Sequence, residues 1–280
     1  MRQVFCAENL AKAGAEVALF GFEKYTQSVG LCTRCDTLSD VIELADVLIL
    51  PLPATSDGIT VNTPLTDKCV PLCRVFEQCA ETTLVLYGGG CLKIEQLAAE
   101  RGITVCNYYD REDYKVANAV PTAEGALALA IDELPITLYG AKCLVIGYGR
   151  IGKVLCGLLD AFGAKVCASA RKSEDILWAQ ISGVEAIRTE EIAEVLGQCD
   201  LIFNTVPKTI LKDELLDMIQ KDALVVDLAS KPGGIDFKPA RERGLNVVWA
   251  LSLPGKTAPL SAGKILSDTV LKILNEKGVV

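Results

Sequence analysis

Hydrophobic positions along the chain come in two rhythms: short β-branched runs bounded by turn residues, and longer stretches in which apolar residues recur every three or four places. Alternation of the two predicts a parallel α/β protein. In the first part, strands are expected over Glu16–Phe20, Asp46–Leu50, Thr83–Leu86 and Thr104–Cys106. In the second they are expected over Lys142–Ile146, Lys165–Ala168, Asp200–Phe203, Leu224–Leu228 and Leu245–Ala250, with a helix over Ile151–Leu159. Pro121 is placed at a helix start, where its missing N–H costs nothing, and Thr122–Leu134 continues as a buried linker helix. Ser261–Glu276 is amphipathic, and its pattern does not choose between the two halves as a docking site.

The start of the chain breaks the alternation. A helix over Arg2–Ala13, closed by Gly14, feeds the run Glu16–Phe20 with no strand before it. Either the first strand of a βα unit is missing, which leaves a gap or an exposed edge where it would pair, or the domain begins with a helix. Pro51-Leu-Pro53 and Gly88-Gly-Gly90 follow two of the expected strands. They are either ligand loops at the carboxyl ends of parallel strands or ordinary turn punctuation.

Composition narrows the chemistry. The 280 residues suffice for two domains and are 50% hydrophobic but only 6% aromatic, a balance that suits buried parallel strands. A formal charge of −8 argues against a nucleic-acid or anionic-membrane surface, so an anionic ligand has to be held by a local cluster of cations. No apolar run approaches the roughly 20 residues of a bilayer span, and no signal-peptide pattern opens the sequence.

The 12 cysteines are scattered, with Cys143, Cys156 and Cys167 inside apparent core elements, which fits a reduced, cytoplasmic setting better than a disulfide framework. The tight pairs Cys32/Cys35 and Cys69/Cys73 would have to pool all four thiolates to hold zinc, so ordinary thiols and no metal are expected. Histidine is absent altogether. That removes Ser-His-Asp hydrolysis, Cys-His proteolysis and imidazole acid/base catalysis.

The strongest motif is Gly147-Tyr148-Gly149-Arg150-Ile151-Gly152, which follows a strand and opens a helix. This is the order of the Rossmann fingerprint: the first glycine permits the turn, the second lets the backbone approach the pyrophosphate, and the third lets the helix pack on the strand. The next strand ends in Ser169-Ala170-Arg171-Lys172, where an NAD enzyme places an acid on the ribose 2′-OH. A hydroxyl and two cations suit the 2′-phosphate of NADP, the other reading being two solvated basic residues.

Later strands run into Thr205-Val206-Pro207, into Ala229–Gly234 with Ser230 and Lys231, and into Leu251–Lys256. Thr205, Val206 and Pro207 are expected around the nicotinamide end, with Lys231 and Lys256 placed to meet substrate carboxylates. The fold class that results is α/β, two Rossmann-like parallel-sheet domains with a cleft between them. The expected division is 1–118, a substrate-side domain truncated at its start; 119–138, the linker helix; 139–254, the NADP-binding domain; and 255–280, the C-terminal helix.

Three segments together, Asn118–Gly125, Ala229–Phe237 and Val248–Pro259, resemble the A subunits of dipicolinate synthases, and the similarity runs over nearly the whole chain. The resemblance implies an oxidoreductase of the mother-cell cytoplasm in sporulating Gram-positive bacteria. Such an enzyme uses NADP to form dipicolinate (pyridine-2,6-dicarboxylate) from a dihydrodipicolinate-level product, alongside a flavoprotein-like B subunit. Members begin with a strand and a Gly-Gly-Asp turn ahead of the segment matching Arg2-Gln3-Val4.

A dicarboxylate substrate needs a cation near each carboxylate. Lys231, Lys256 and Arg111 are the candidates, with Asn118, Thr122, Thr205 and Ser230 as neutral donors and Asp110, Glu112 or Glu124 as a base. A homo-oligomer is expected. Two other readings stay open: a 2-hydroxyacid or keto-acid dehydrogenase, against which the lack of histidine counts, and a non-catalytic NADP-binding subunit.

Overall fold

A computed structural model describes residues 1–43 and 45–279, and the chain divides into two compact units. The first comprises Met1–Ala117 with Pro259–Val280; the second is Asn118–Ala258. The amphipathic C-terminal helix, Pro259–Glu276, therefore belongs with the N-terminal residues. Its Leu266, Val270, Ile273 and Leu274 pack with Cys6 and Leu10 of the first helix, Arg2–Lys12, and with Tyr108 and Tyr114.

In the first unit the strands are β1 (Ala18–Leu19), β2 (Thr33–Arg34), β3 (Val47–Ile49), β4 (Leu84–Tyr87) and β5 (Val105–Asn107). All pairings are parallel, but they form two sheets, β1-β2 and β3-β4-β5, with no pairing between them among the described residues. The chain opens on its helix, and β1 and β3 lie in separate sheets. The loops that follow β3 and β4 touch: Ala54 N donates to the Gly88 carbonyl at 2.8 Å. Tyr108, whose ring packs against Gly88, donates its hydroxyl to the Leu50 carbonyl at 3.0 Å.

The second unit holds one six-stranded parallel sheet of β6 (Lys142–Ile146), β7 (Lys165–Ala170), β8 (Glu185–Arg188), β9 (Leu201–Asn204), β10 (Leu224–Asp227) and β11 (Asn246–Trp249). Its order, β8-β7-β6-β9-β10-β11, reverses direction between β6 and β9, as in doubly wound nucleotide-binding sheets. Alternation along each strand builds two cores. Cys143 and Val145 of β6, Leu201 and Phe203 of β9, and Leu224 and Val226 of β10 face one side; Leu144, Ile146, Ile202 and Val225 face the other. Both faces are covered, so β6, β9 and β10 are apolar over most of their length.

The linker helix runs from Glu112 to Glu133, so Pro121 lies inside it and not at its start. A proline there forgoes one intrahelical N–H bond. Next to it the Thr122 hydroxyl donates to the Asn118 carbonyl at 2.7 Å. The strands β2 and β8 are additional to those expected from the sequence.

The cysteines are free thiols, and among the described residues no group of three or more acidic, Cys or His side chains is placed to hold a metal ion. No helix among them is long and apolar enough to cross a membrane. Burial pushes the thiols of Cys6, Cys143, Cys156 and Cys167 up to about 12. Because the thiolate is the reactive form, alkylation of the folded protein at pH 8 should modify the exposed Cys69 and Cys73 first. Mass spectrometry should find those four buried thiols labelled only after denaturation; rapid labelling of any of them in the native state contradicts this packing.

Candidate nucleotide-binding site

Every strand of the second unit is parallel, so every loop that follows a strand lies at one edge of the sheet. At the point where the strand order reverses, β6 ends in the glycine loop and β9 ends in Thr205. Gly147 has φ +97°, and a Cβ on it would collide with the Thr205 hydroxyl. That hydroxyl donates to the Ile146 carbonyl at 3.0 Å. A Cβ on Gly152 would collide with the Gly147 carbonyl, so the helix Arg150–Ala161 sits directly against the turn.

Gly149 differs from these two. It is the N-cap of that helix, has no side-chain cap, and a Cβ on it would meet nothing within 4 Å. Open space above uncapped helical N–H groups suits a pyrophosphate. Ile151 packs on the core beneath, and Tyr148 is buried in it with the Lys153 ammonium 5.7 Å from its ring centroid. Arg150 lies on the first turn of the helix. Tyr148 thus contributes its backbone to the loop while its ring belongs to the core.

Beside the loop lies a cavity of about 160 Å³ lined by Gly147, Gly149, Arg171, Lys172, Asp175, Thr189, Val206 and Ile210. Arg171 and Lys172 stand at its mouth, exposed. Lys172 is 3.9 Å from the Glu174 carboxylate, a pair so open to water that it restrains neither side chain strongly. Ser169, the penultimate residue of β7, is fully buried and does not line the cavity. Its hydroxyl is buried with no hydrogen-bond partner, and its carbonyl accepts from Gly147 N at 2.9 Å. Pro207 is exposed, beyond the lining. A larger hollow, about 300 Å³, is lined by Lys153, Asp160, Trp178, Ser182 and Val184. Apart from Tyr148 it takes no residue from the loops that follow the strands, whereas the smaller cavity is bounded by those loops.

The loops after β9 and β10 are tied together by two fully buried polar side chains, Asn204 and Asp227, at matched positions on adjacent strands. The Asp227 carboxyl group accepts from Asn204 Nδ2 at 2.8 Å, Ala229 N at 3.0 Å and Gly234 N at 2.7 Å. Gly234 has no room for a Cβ over the Asn204 amide, and its carbonyl accepts from Ile210 N and Leu211 N at 2.9 and 3.0 Å. Trp249 on β11 donates its indole N–H to the Ala229 carbonyl at 2.9 Å. This clasp fixes both ends of the segment that carries Ser230 and Lys231, which are themselves exposed. Lys256, on the short helix Leu253–Thr257 after β11, is exposed as well.

The remaining candidates divide between the units. Thr122 is buried and Asn118 half-buried with its Oδ1 unpartnered, both on the linker helix, where Glu124 is exposed. Arg111 belongs to the first unit, where it is gripped on both sides. It makes paired hydrogen bonds to Asp113 at 3.0 and 3.1 Å and to Glu276 at 2.6 and 3.0 Å, which raise its affinity for its proton and hold both carboxyls below their usual range. A substrate carboxylate would have to displace two acids there. Asp110, nearby in sequence, accepts from Asn107 Nδ2 at 2.8 Å, and Glu112 opens the linker helix.

Residues 1–109 match the profile of the N-terminal domain of the dipicolinate synthase A subunit, and residues 123–231 that of the D-isomer specific 2-hydroxyacid dehydrogenase NAD-binding domain. The dipicolinate synthase A subunit of Bacillus subtilis is 30% identical over 98% of this chain and 93% of that protein. The chain belongs to the family of dipicolinate synthase A subunits. Crystal structures of family members agree with its fold. The Bacillus halodurans A subunit superposes with a TM-score of 0.88 at 30% identity, over 98% of this chain and 94% of that one. The Bacillus subtilis protein gives 0.87 at 30%, over 98% and 93%.

In this family member the second unit is a nicotinamide-dinucleotide-binding domain of the dehydrogenase type. Sequence reasoning passed over Asn204, Asp227, Asp175 and Thr189. The first two had a signal, a polar residue closing an otherwise apolar strand in both Leu-Ile-Phe-Asn204 and Leu-Val-Val-Asp227. Replacing Asp227 with Ala strands three buried donors at about 1–3 kcal/mol each. Chemical denaturation of Asp227→Ala should show a loss of about 3 kcal/mol or more. Stability equal to the parent protein would contradict the clasp.

Proposed function

We propose that the chain is the catalytic A subunit of a dipicolinate synthase, oxidising a dihydrodipicolinate-level intermediate to pyridine-2,6-dicarboxylate in the mother cell during sporulation, with a B subunit as its partner. The observation that carries this reading is kinship with the A subunits along both units and not in the nucleotide-binding domain alone. NADP is the preferred cofactor in this reading, because Arg171 and Lys172 occupy the lip of the cavity beside the glycine loop and no acid closes β7.

Bound at the glycine loop, the oxidised nicotinamide supplies the hydride acceptor. The substrate loses one hydride from a ring carbon and one proton from a second ring position, and the product is an aromatic pyridine. Aromatisation supplies driving force, so a strong base is unnecessary and water or a carboxylate suffices in a chain without histidine. Lys231 and Lys256 lie on loops at the same sheet edge as the glycine turn, and each is assigned one substrate carboxylate. Ser230 is a neutral donor beside Lys231. The Thr205 and Thr122 hydroxyls already donate to backbone carbonyls, so toward a ligand they act as acceptors.

The direct test is to incubate the purified chain with NADP and freshly generated dihydrodipicolinate and to follow dipicolinate and NADPH absorbance together. Both should rise in equal amounts. Turnover only with a keto acid and NADPH contradicts the reading in favour of a hydroxyacid dehydrogenase, and NADP binding without turnover when the B subunit is left out contradicts the catalytic assignment. Lys231→Ala removes a charge-assisted contact and should raise KM for the dicarboxylate by about 10- to 100-fold while leaving NADP affinity unchanged. Joint replacement of Arg171 and Lys172 by Ala should weaken NADP at least about 10-fold and spare NAD; equal affinities before and after would refute the cofactor assignment.

A further inference from the structure

The lip of the nucleotide cavity takes side chains from two strands. β8 pairs with β7 in the register Ala170↔Arg188, so Arg188 stands across from the residue that immediately precedes Arg171. Its guanidinium reaches back over the turn, donating from Nη2 to the Ser173 hydroxyl at 3.4 Å, one residue past Lys172. Thr189, the next residue in the chain, lines the same cavity as Arg171 and Lys172. Arg188 is exposed and makes no ion pair among the described residues. Three cations thus gather at one corner of an acidic protein.

Acidic groups face this corner too. Glu174 lies 3.9 Å from Lys172, Asp175 lines the cavity, and the Glu191 carboxylate accepts the backbone N–H of Arg188 at 3.0 Å. Glu174 and Lys172 are both mostly exposed, and Glu191 is engaged with backbone. Asp175 is the one acid in the cavity lining. Arg171 and Lys172 share the lining with it, and Arg188 stands beside them through its bond to Ser173; a bound dianion would relieve the mutual repulsion of the three cations. Guanidinium is also the cation whose planar donors match phosphate oxygens in pairs, and its present contact to Ser173 is long enough to be exchanged for a better one.

We propose that Arg188, delivered by the neighbouring strand, completes with Arg171 and Lys172 a site for the 2′-phosphate of the adenosine ribose, and so sets the preference for NADP over NAD. The inference rests on the NADP reading above and adds to it a residue from outside the turn after β7.

Fragments of the cofactor separate the two claims. Calorimetric titration of the full chain compares 2′,5′-ADP, which carries the 2′-phosphate, with 5′-AMP, which lacks it. Arg188→Ala should weaken 2′,5′-ADP by about 10-fold or more and leave 5′-AMP unchanged. Arg188→Lys should fall between the variant and the parent, since it keeps the charge and loses the fork. Unchanged 2′,5′-ADP affinity in Arg188→Ala, or equal losses for both nucleotides, overturns the assignment of Arg188. If the parent protein itself binds the two nucleotides equally, the NADP reading fails. If the parent prefers 2′,5′-ADP and Arg171→Ala abolishes the preference while Arg188→Ala does not, only the present inference fails.

Discussion

The site depends on the buried carboxyl group of Asp227. A six-stranded parallel sheet delivers its loops to one edge, but an edge of loops is not yet a site. Asp227 turns two of those loops into a fixed surface by accepting the Asn204 amide from the neighbouring strand and two backbone N–H groups from its own loop. The Asn204 amide in turn holds the start of the Thr205 loop, donating to the Val206 carbonyl at 2.9 Å and accepting from Val206 N at 3.2 Å. Thr205 then closes on the glycine turn through Ile146. One network of short bonds therefore connects the glycine turn to the segment that presents Lys231.

This arrangement explains the two buried glycines that close the Ala229–Gly234 segment. In Ala229–Gly234 the side chains that matter for packing are the absent ones. A Cβ on Gly234 would strike Asn204, and one on Gly233 would come within 2.8 Å of the Asp227 carboxyl. The segment's form satisfies two polar groups inside the sheet edge and leaves Lys231 at the surface. Charge follows a similar division of labour. The chain as a whole carries −8, so in the proposed site an anionic cofactor has to be held by local cations, those at the ends of β7 and β8.

The parts of this picture legible in the sequence are those fixed by local pattern. The glycine turn, the strand before it and the helix after it are specified by residues adjacent in the chain, and Lys142–Ile146 agrees with the expected strand residue for residue. Where local and tertiary signals diverged, the local reading fell short. β8 passed unnoticed because Glu185-Ala-Ile-Arg188 is an edge strand with polar residues at both ends, and Arg188 went with it. Pro121 reads as a helix start by propensity but lies inside a helix that begins at Glu112. Arg111 reads as a free cation only while Glu276 stays out of view, 165 positions away in the chain and bidentate in the fold. Ser169 was grouped with Arg171 and Lys172 by proximity in sequence, whereas it is fully buried inside β7 and they are exposed just past the strand's end.

Where the two ends of the cofactor lie decides between this site and any other. A crystal structure of the protein with NADP and dipicolinate tests it most directly. It should place the pyrophosphate over Gly149, the 2′-phosphate among Arg171, Lys172 and Arg188, and the two pyridine carboxylates against Lys231 and Lys256. A ribose 2′-position turned toward Asp175 with the three cations left in solvent, or a pyridine ring bound away from the Ala229–Gly234 loop, would contradict it.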